Sequence, residues 1–273
     1  MPTQPLRALL TLAALLWTLA APARELVLVG PPWPPYLDPE RDNQGFANEI
    51  VLAALQAAGY PDIKVKLEPW RRVLWDAQNS VADGLIGIWY APEREKLALF
   101  SEPYFVSPIM AILPADTTLQ PRSPKQLAGL RVAHREGARF GAVFDDAREF
   151  EHVPVSTTAN VLNMVARGRV DAGVEDGLIA EAFLRAEPEA RKRLRLSEHT
   201  LLSQPLHFGV IRGRPHAAQL VEDFNRGLHL ILDNGVYRDI LREHGLLRFI
   251  DPERLANLSC ADLLICQPEP ARP

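Results

Sequence analysis

Two series of alternating strand and helix patterns constrain the fold of this chain more than any other feature of its sequence. Runs of apolar or alternating residues favour strands in the first series at 25–29, 63–67, 84–88 and 109–113. Helical spacing of apolar residues favours helices at 46–55 and 71–79. The second series has strands at 130–133, 152–155 and 172–175 and helices at 139–145 and 159–166. This order favours an α/β fold in which helices cover the sheet.

A polar stretch at 116–125 separates the two series and indicates two lobes. The residues that follow are too few for a third lobe: a strand at 207–211 and helices at 220–232 and 236–243. We therefore expect the chain to cross back into the first lobe, which gives two crossings and a hinge. The predicted lobes are 24–114 with 206–250 (lobe 1) and 115–205 (lobe 2).

The two series also repeat one another over a short distance. Val73-Leu74 precedes Asp83 and an apolar strand, and Val161-Leu162 precedes Asp171 and another strand at the same spacing. This echo supports the prediction of two similar lobes.

The amino terminus has the features of a secretory signal peptide. Arg7 precedes an apolar run at 8–19, which ends in Ala21-Pro22-Ala23. The run is shorter than the roughly 20 residues that a membrane span needs. We therefore expect residues 1–23 to be cleaved off and the mature chain to reside in the periplasm. The alternative is an uncleaved anchor.

Residues 251–273 are predicted to form a loosely packed tail. This tail holds both cysteines of the chain, Cys260 and Cys266. In an oxidising compartment we expect a local disulfide between them, and the alternative is a pair of free thiols.

Composition and motifs exclude several classes of function. A formal net charge of -4 does not favour nucleic acid as a partner. The sequence has neither Gly-x-Ser-x-Gly nor His-Glu-x-x-His, and its seven histidines are scattered. We therefore expect no enzyme, no metal site and no cofactor.

Aromatic residues follow the first two predicted strands, where open α/β sheets present ligand-contacting loops. Trp33 and Tyr36 lie in a proline-rich loop after the first strand, and Trp70 follows the second. Two indoles could flank one crevice and hold a planar, aliphatic or ammonium group. The alternative is that each ring packs against its own loop.

Charged residues follow predicted strands in both lobes. Arg94 comes after the strand at 84–88 and suits a carboxylate, because its planar fork donates two parallel hydrogen bonds. Glu175 and Asp176 follow a strand of the second series. An acid and a base on facing lobes would suit a zwitterion. The alternatives are a surface salt bridge of Arg94 with Glu93 or Glu95 and a solvated acidic turn.

Several stretches, in this order, resemble the extracellular solute-binding proteins of family 3, which are periplasmic binding proteins for polar amino acids. The stretches are Gly45-Phe46, Asp83 to Gly87, Pro92-Glu93-Arg94, Phe100-Ser101-Glu102-Pro103-Tyr104, Leu130-Arg131-Val132 before Gly137, Gly168-Arg169-Val170-Asp171-Ala172 and Asn234-Gly235. The resemblance covers about 25–247 and implies the two-lobed type II periplasmic-binding-protein fold, or Venus flytrap.

The resemblance also implies roles for individual residues. Arg94 matches the arginine that clamps the ligand α-carboxylate, and Asp176 matches the acid that receives the α-ammonium from the second lobe. Trp33 and Trp70 match the aromatic positions that sandwich the ligand side chain.

Two departures from the family pattern affect the expected ligand. Trp89 stands where the family has a small hydroxyl residue, and Gly137-Ala138-Arg139 stands where it has Gly followed by Thr or Ser. Arg139 could replace the lost hydroxyl contacts by pairing with a carboxylate at that helix N-terminus. The expected ligand is therefore a small or acidic amino acid, or another carboxylate.

The sequence thus predicts a monomeric periplasmic protein that captures a small ligand for an ABC permease and does no chemistry on it. Two alternatives stay open. One is a free-standing sensor that reports the ligand to a membrane receptor. The other is an enzyme similar to the cyclohexadienyl dehydratases, with Glu175 beside Asp176 as the acid-base group.

Overall fold

The structure is a computed structural model that describes residues 25–247. The predicted signal peptide, the tail and the Cys260–Cys266 disulfide lie outside these residues. Among residues 25–247, no helix is both long enough and apolar enough to cross a membrane.

Eight strands and eight helices alternate along the described chain, which confirms the α/β class. The strands are β1 (Leu26–Gly30), β2 (Ile63–Leu67), β3 (Gly84–Trp89), β4 (Ala98–Pro114), β5 (Arg131–Arg135), β6 (Glu151–Val155), β7 (Ala172–Asp176) and β8 (Leu194–Ile211). The helices are α1 (Phe46–Ala57), α2 (Trp70–Gln78), α3 (Ala142–Asp145), α4 (Thr158–Ala166), α5 (Gly177–Ala186), α6 (Pro188–Arg193), α7 (Ala217–Asp233) and α8 (Val236–Glu243).

One sheet connects the strands in the order β2-β1-β3-β8-β4-β7-β5-β6. Its two ends are parallel, because β1 pairs with β2 and β3 while β5 pairs with β6 and β7. The two long central strands are antiparallel to each other and to their outer neighbours. The carboxyl ends of β1 and β3 on one side, and of β7 on the other, therefore meet near the middle of the molecule.

The strands β4 and β8 are longer than the sequence pattern indicated. Only 109–113 and 207–211 were predicted as strand, whereas β4 has 17 residues and β8 has 18. Pro103 and Pro108 lie inside β4 and cannot donate to a ladder, and the pairing with β8 shifts register on both sides of Pro103. Long antiparallel pairing from Ala98 to Pro114 maintains the strand despite these local signals.

Helix α7 packs across α1 and returns the chain to the sheet end formed by β1, β2 and β3. Its buried stripe consists of Leu220, Phe224, Leu228 and Ile231, which recur at helical spacing. Gly227 allows a close approach, since a Cβ there would lie 1.9 Å from the Ala54 carbonyl oxygen.

The echo between the two series corresponds to equivalent contacts. The Asp83 carboxylate accepts a hydrogen bond from Val27 N (2.9 Å), and the Asp171 carboxylate accepts one from Arg131 N (2.8 Å). In each half of the sheet, the aspartate that precedes one parallel strand (β3 or β7) thus fixes the start of its parallel neighbour (β1 or β5). The exact lobe boundaries remain a prediction.

Candidate functional site

The predicted site residues lie at strand ends that face one another. Trp33 follows β1 and Trp89 ends β3, while Asp176 ends β7 on the other side. The carboxyl ends of parallel strands meet at one edge of a sheet, so these three side chains border a common region.

Trp33 packs against two aromatic rings. It stacks on Tyr36 with ring centroids 4.3 Å apart, and its ring meets Trp89 edge to face at 5.1 Å. Tyr36 and Trp89 are both buried. The indole Nε1 of Trp33 is buried and has no hydrogen-bond partner among the described residues. It is therefore a donor without an acceptor.

Arg94 ends a short 3-10 turn at Pro92–Arg94, directly after β3. Its Nη1 donates to the Trp89 carbonyl oxygen at 2.7 Å, and its Cζ lies 5.5 Å from the Trp70 ring centroid. Burial lowers the pKa of the Arg94 guanidinium. Glu93 pairs with Arg139 instead, and no ion pair engages Arg94 within residues 25–247.

Asp176 is completely buried and caps helix α5. Its Oδ1 accepts from Leu178 N (2.9 Å) and Ile179 N (3.2 Å). Its Oδ2 accepts from the Tyr36 hydroxyl at 2.6 Å, which joins the two sides of the molecule. Burial is the main cause that raises the pKa of Asp176 to about 7.

Glu175, the neighbour of Asp176, is held by the second half of the sheet. Its carboxylate pairs with Arg135 Nε at 2.8 Å and accepts from Thr158 Oγ1 at 2.7 Å and from Asp176 N at 2.9 Å. Its side chain is fully buried. Glu175 thus orders the end of β7 and the start of α4.

The region of Gly137 and Arg139 differs from the expected helix N-terminus. Helix α3 begins only at Ala142, and the amides of Phe140 and Gly141 donate to the Asp145 carboxylate, both at 3.2 Å. The predicted helix start at 139 is therefore wrong, and Asp145 occupies two of the amides that precede the helix. A carboxylate bound by Arg139 stays a prediction.

Gly137 and Arg139 have different roles in the loop before α3. Gly137 has a positive φ of 74°, which suits the turn after β5. Arg139 Nε lies 3.2 Å from Glu93 Oε1, and both side chains are more than half exposed. This ion pair links the turn after β3 to the loop before α3.

The structure brings some predicted residues together and separates others. Trp33, Trp89 and Asp176 belong to one connected cluster, which Tyr36 completes. Trp70 contacts Arg94, whereas the ring partners of Trp33 are Tyr36 and Trp89. A sandwich of a ligand between Trp33 and Trp70 therefore remains a prediction.

Sequence reasoning placed Tyr36 in the right loop but missed its hydroxyl contacts. The hydroxyl lies 2.9 Å from Ser107 Oγ in β4, which also accepts from Trp89 Nε1 at 3.2 Å. Asp176 is 140 positions away from Tyr36 in the chain. The only signal in the sequence was the proline-rich loop that holds Tyr36 next to Trp33.

The sequence model of the bacterial extracellular solute-binding proteins, family 3, matches residues 26–246, which is most of the chain. The chain belongs to this family. A search of curated protein sequences found no match. The family assignment confirms the resemblance drawn from the sequence.

Solved structures share the fold at low identity. A mutant of the arginine-binding protein ArgBP from T. maritima is 22% identical over 80% of this chain and 94% of its own, with a TM-score of 0.62. A histidine kinase sensor domain with similarity to periplasmic binding proteins has 21% identity, coverage of 81% and 95%, and a TM-score of 0.64. An ancestral amino acid-binding protein, a precursor of cyclohexadienyl dehydratase, has 19% identity, coverage of 85% and 98%, and a TM-score of 0.62.

These structures establish the fold as a type II periplasmic binding protein, as predicted. Its two lobes are joined by the long strands β4 and β8. The region between Trp33, Arg94 and Asp176 lies where strand ends from both lobes meet, and we refer to it as the cleft.

Proposed function

We propose that this protein captures a small carboxylate or amino-acid-like molecule in the cleft between its lobes, in the periplasm, and delivers it as a monomer to an ABC permease. Membership of the extracellular solute-binding family supports the binding role. The observation that carries the proposal is Arg94: a half-buried guanidinium at the end of β3 with no ion-pair partner among residues 25–247.

The guanidinium is suited to hold a ligand carboxylate on the first lobe. One of its nitrogens is fixed by the Trp89 carbonyl and its face lies near Trp70, so the fork is oriented before the ligand arrives. Closure of the second lobe then buries the ligand. Only contacts that form in the closed state shift the equilibrium toward it.

We further propose that the protein binds its ligand without converting it. Glu175 is engaged by Arg135 and Thr158, and Asp176 by Tyr36 and two backbone amides. An acid-base catalyst must reach the proton that it transfers. These contacts leave neither carboxylate directed at a ligand.

A thermal-shift screen of the purified mature protein against amino acids, their derivatives and small carboxylates tests the proposal. A ligand that binds only the native state must raise the melting temperature. We expect Arg94→Ala to abolish the shift, and Arg167→Ala, an exposed arginine of the second lobe, to retain it. Compounds that bind, and prephenate, should be recovered unchanged after incubation.

Two outcomes would contradict the proposal. If no compound stabilises the wild-type protein, the carboxylate assignment fails. If Arg94→Ala and Arg167→Ala both keep the full shift, the ligand binds elsewhere. Turnover of any compound would instead support an enzyme.

A further inference from the structure

Three donors and complete burial separate the Asp176 carboxylate from a ligand ammonium. Both backbone donors of the helix cap bind Oδ1, and the Tyr36 hydroxyl binds Oδ2 at 2.6 Å. The side chain has no exposed surface. A ligand amine could reach this carboxylate only by displacing Tyr36.

Tyr36 is not placed to move aside. Its ring is completely buried. The distance from its ring centroid is 4.3 Å to that of Trp33, 4.9 Å to that of Phe46 and 5.9 Å to that of Phe105. Its backbone is fixed too, since its carbonyl oxygen accepts from Ala47 N at 3.1 Å. A different rotamer would remove this ring from a close-packed core.

When Asp176 is ionised, every proton of this cluster is donated within it. A hydroxyl has one proton, and the Tyr36 proton goes to Asp176, which is the shorter contact. The Ser107 hydroxyl must then donate to the Tyr36 oxygen, while it accepts from Trp89 Nε1. One directed chain of hydrogen bonds thus runs from Trp89 through Ser107 and Tyr36 to Asp176.

Two other acids near these strand ends are engaged as well. Glu175 pairs with Arg135, and Glu93 pairs with Arg139. Glu68, after β2, differs: its Oε2 lies 4.0 Å from Arg72 Nε, whereas its Oε1 is buried without a hydrogen-bond partner among the described residues. Burial, followed by the Asp76 carboxylate, raises the pKa of Glu68.

Two side chains near the Asp176 cluster have donors that are left without an acceptor within residues 25–247. Trp33 Nε1 is buried without a partner, and Arg94 has no ion pair, both within the described residues. Unpaired donors favour a ligand that supplies acceptors, because a buried polar group without a partner is costly. A carboxylate meets this need, and an ammonium does not.

We propose that the Tyr36 hydroxyl takes the place of a ligand ammonium on Asp176, so that the cleft selects carboxylates that lack an α-amino group over the corresponding amino acids. The inference rests on the proposed function, because it narrows the ligand of the same cleft. Tyr36 is then a specificity-determining residue.

Calorimetric titration with matched pairs of compounds tests this selectivity: glutarate and L-glutamate, propionate and L-alanine, and 3-phenylpropionate and L-phenylalanine. The wild-type protein should bind the amine-free member of a pair at least about tenfold more tightly, since Tyr36 keeps a desolvated ammonium from the Asp176 carboxylate. Tyr36→Phe keeps the ring and frees Asp176, and it should shift the ratio toward the amino acid by about tenfold.

Two controls isolate the effect of Asp176. Tyr60→Phe removes the same kind of hydroxyl from another Tyr–Asp pair, since Tyr60 bonds Asp223 at 2.7 Å, and it should leave the ratio unchanged. Tyr36→Phe combined with Asp176→Asn should lose the gained amino-acid affinity. A wild-type preference for amino acids that Tyr36→Phe does not alter would overturn the inference.

A second measurement keeps the inference testable if none of the six compounds binds, an outcome that counts against the proposed function. The melting temperatures of Tyr36→Phe, Asp176→Asn and the double variant form a cycle. If the double variant loses less in melting temperature than the two single variants together, the Tyr36–Asp176 contact between the lobes is supported. If the losses in melting temperature simply add, the contact and the inference are overturned.

Discussion

At the scale of single residues, Asp176 has the most unusual environment in the cleft. It is a fully buried carboxyl group whose pKa is raised from 3.8 to about 7, chiefly by burial. The Tyr36 hydroxyl and two backbone amides oppose this effect by stabilising the anion. The folded protein therefore binds a proton at this residue at a pH where the unfolded chain has released it.

This difference predicts how stability depends on pH. Because the folded pKa is the higher one, the contribution of Asp176 to stability is complete below about pH 4 and is lost as pH rises toward about 7. Urea unfolding across this range measures the free energy of unfolding as a function of pH. Between about pH 4 and 7 this free energy should fall by roughly 4 kcal/mol more in the wild type than in Asp176→Asn. Parallel pH profiles of the two proteins would contradict the assignment.

The sequence indicated several of the residues at this site, and it did so by position. Trp33, Arg94 and Asp176 are predicted because they follow predicted strands, and Trp89 because it departs from the family pattern. In the structure Trp89 and Asp176 end strands, while Trp33 and Arg94 lie in the loops just after them. The Tyr36–Asp176 contact could not be predicted, since it needs the positions of two strand ends from opposite halves of the sheet. Whether these residues bind the ligand remains a prediction.

At the scale of secondary-structure elements, Asp83 and Asp171 fix the starts of β1 and β5 in the same way. Their arginine partners lie in different surroundings. The side chains of Arg214 and Asp83 are 15% and 6% exposed, whereas those of Arg131 and Asp171 are 45% and 42% exposed. Equivalent contacts should therefore differ in energy.

We expect Arg214→Ala to lower the free energy of unfolding by about 3 kcal/mol, because it removes a nearly buried cation and its hydrogen bonds from the buried Asp83 carboxylate. Arg131→Ala should cost much less, since water screens the exposed pair. Urea unfolding of both variants at neutral pH measures the difference. Equal costs would show that burial does not separate the two pairs.

The short elements were predictable, and the long strands were not. Helix α7 was predictable because its apolar residues recur at helical spacing, and β2 because apolar and polar residues alternate along it. The strands β4 and β8 contain Pro103, Pro108 and Pro205, which lower strand preference locally, while their mutual pairing stabilises them. Helix α3 is shorter than predicted because Asp145 closes the turn before it.

At the scale of the whole molecule, two lobes are joined by β4 and β8 and also touch across the cleft. The contacts between the lobes include Tyr36 with Asp176 and Glu93 with Arg139. The sequence predicted two chain crossings from the length of the last segment. It could not predict contacts between the lobes, because these depend on the hinge angle.

We expect a ligand to enter and leave between these lobes. The substitutions Glu93→Cys and Arg139→Cys, in a chain with Cys260→Ser and Cys266→Ser, allow a cleavable bis-maleimide to lock the cleft from its exposed rim. Each single-cysteine variant, treated with the same reagent, controls for the chemistry.

The decisive measurement is titration of the locked protein with a compound that stabilises the wild type in the thermal-shift screen. We expect no binding while the link is intact and full binding after it is cleaved. Unchanged affinity and rate in the locked protein would contradict a site between the lobes.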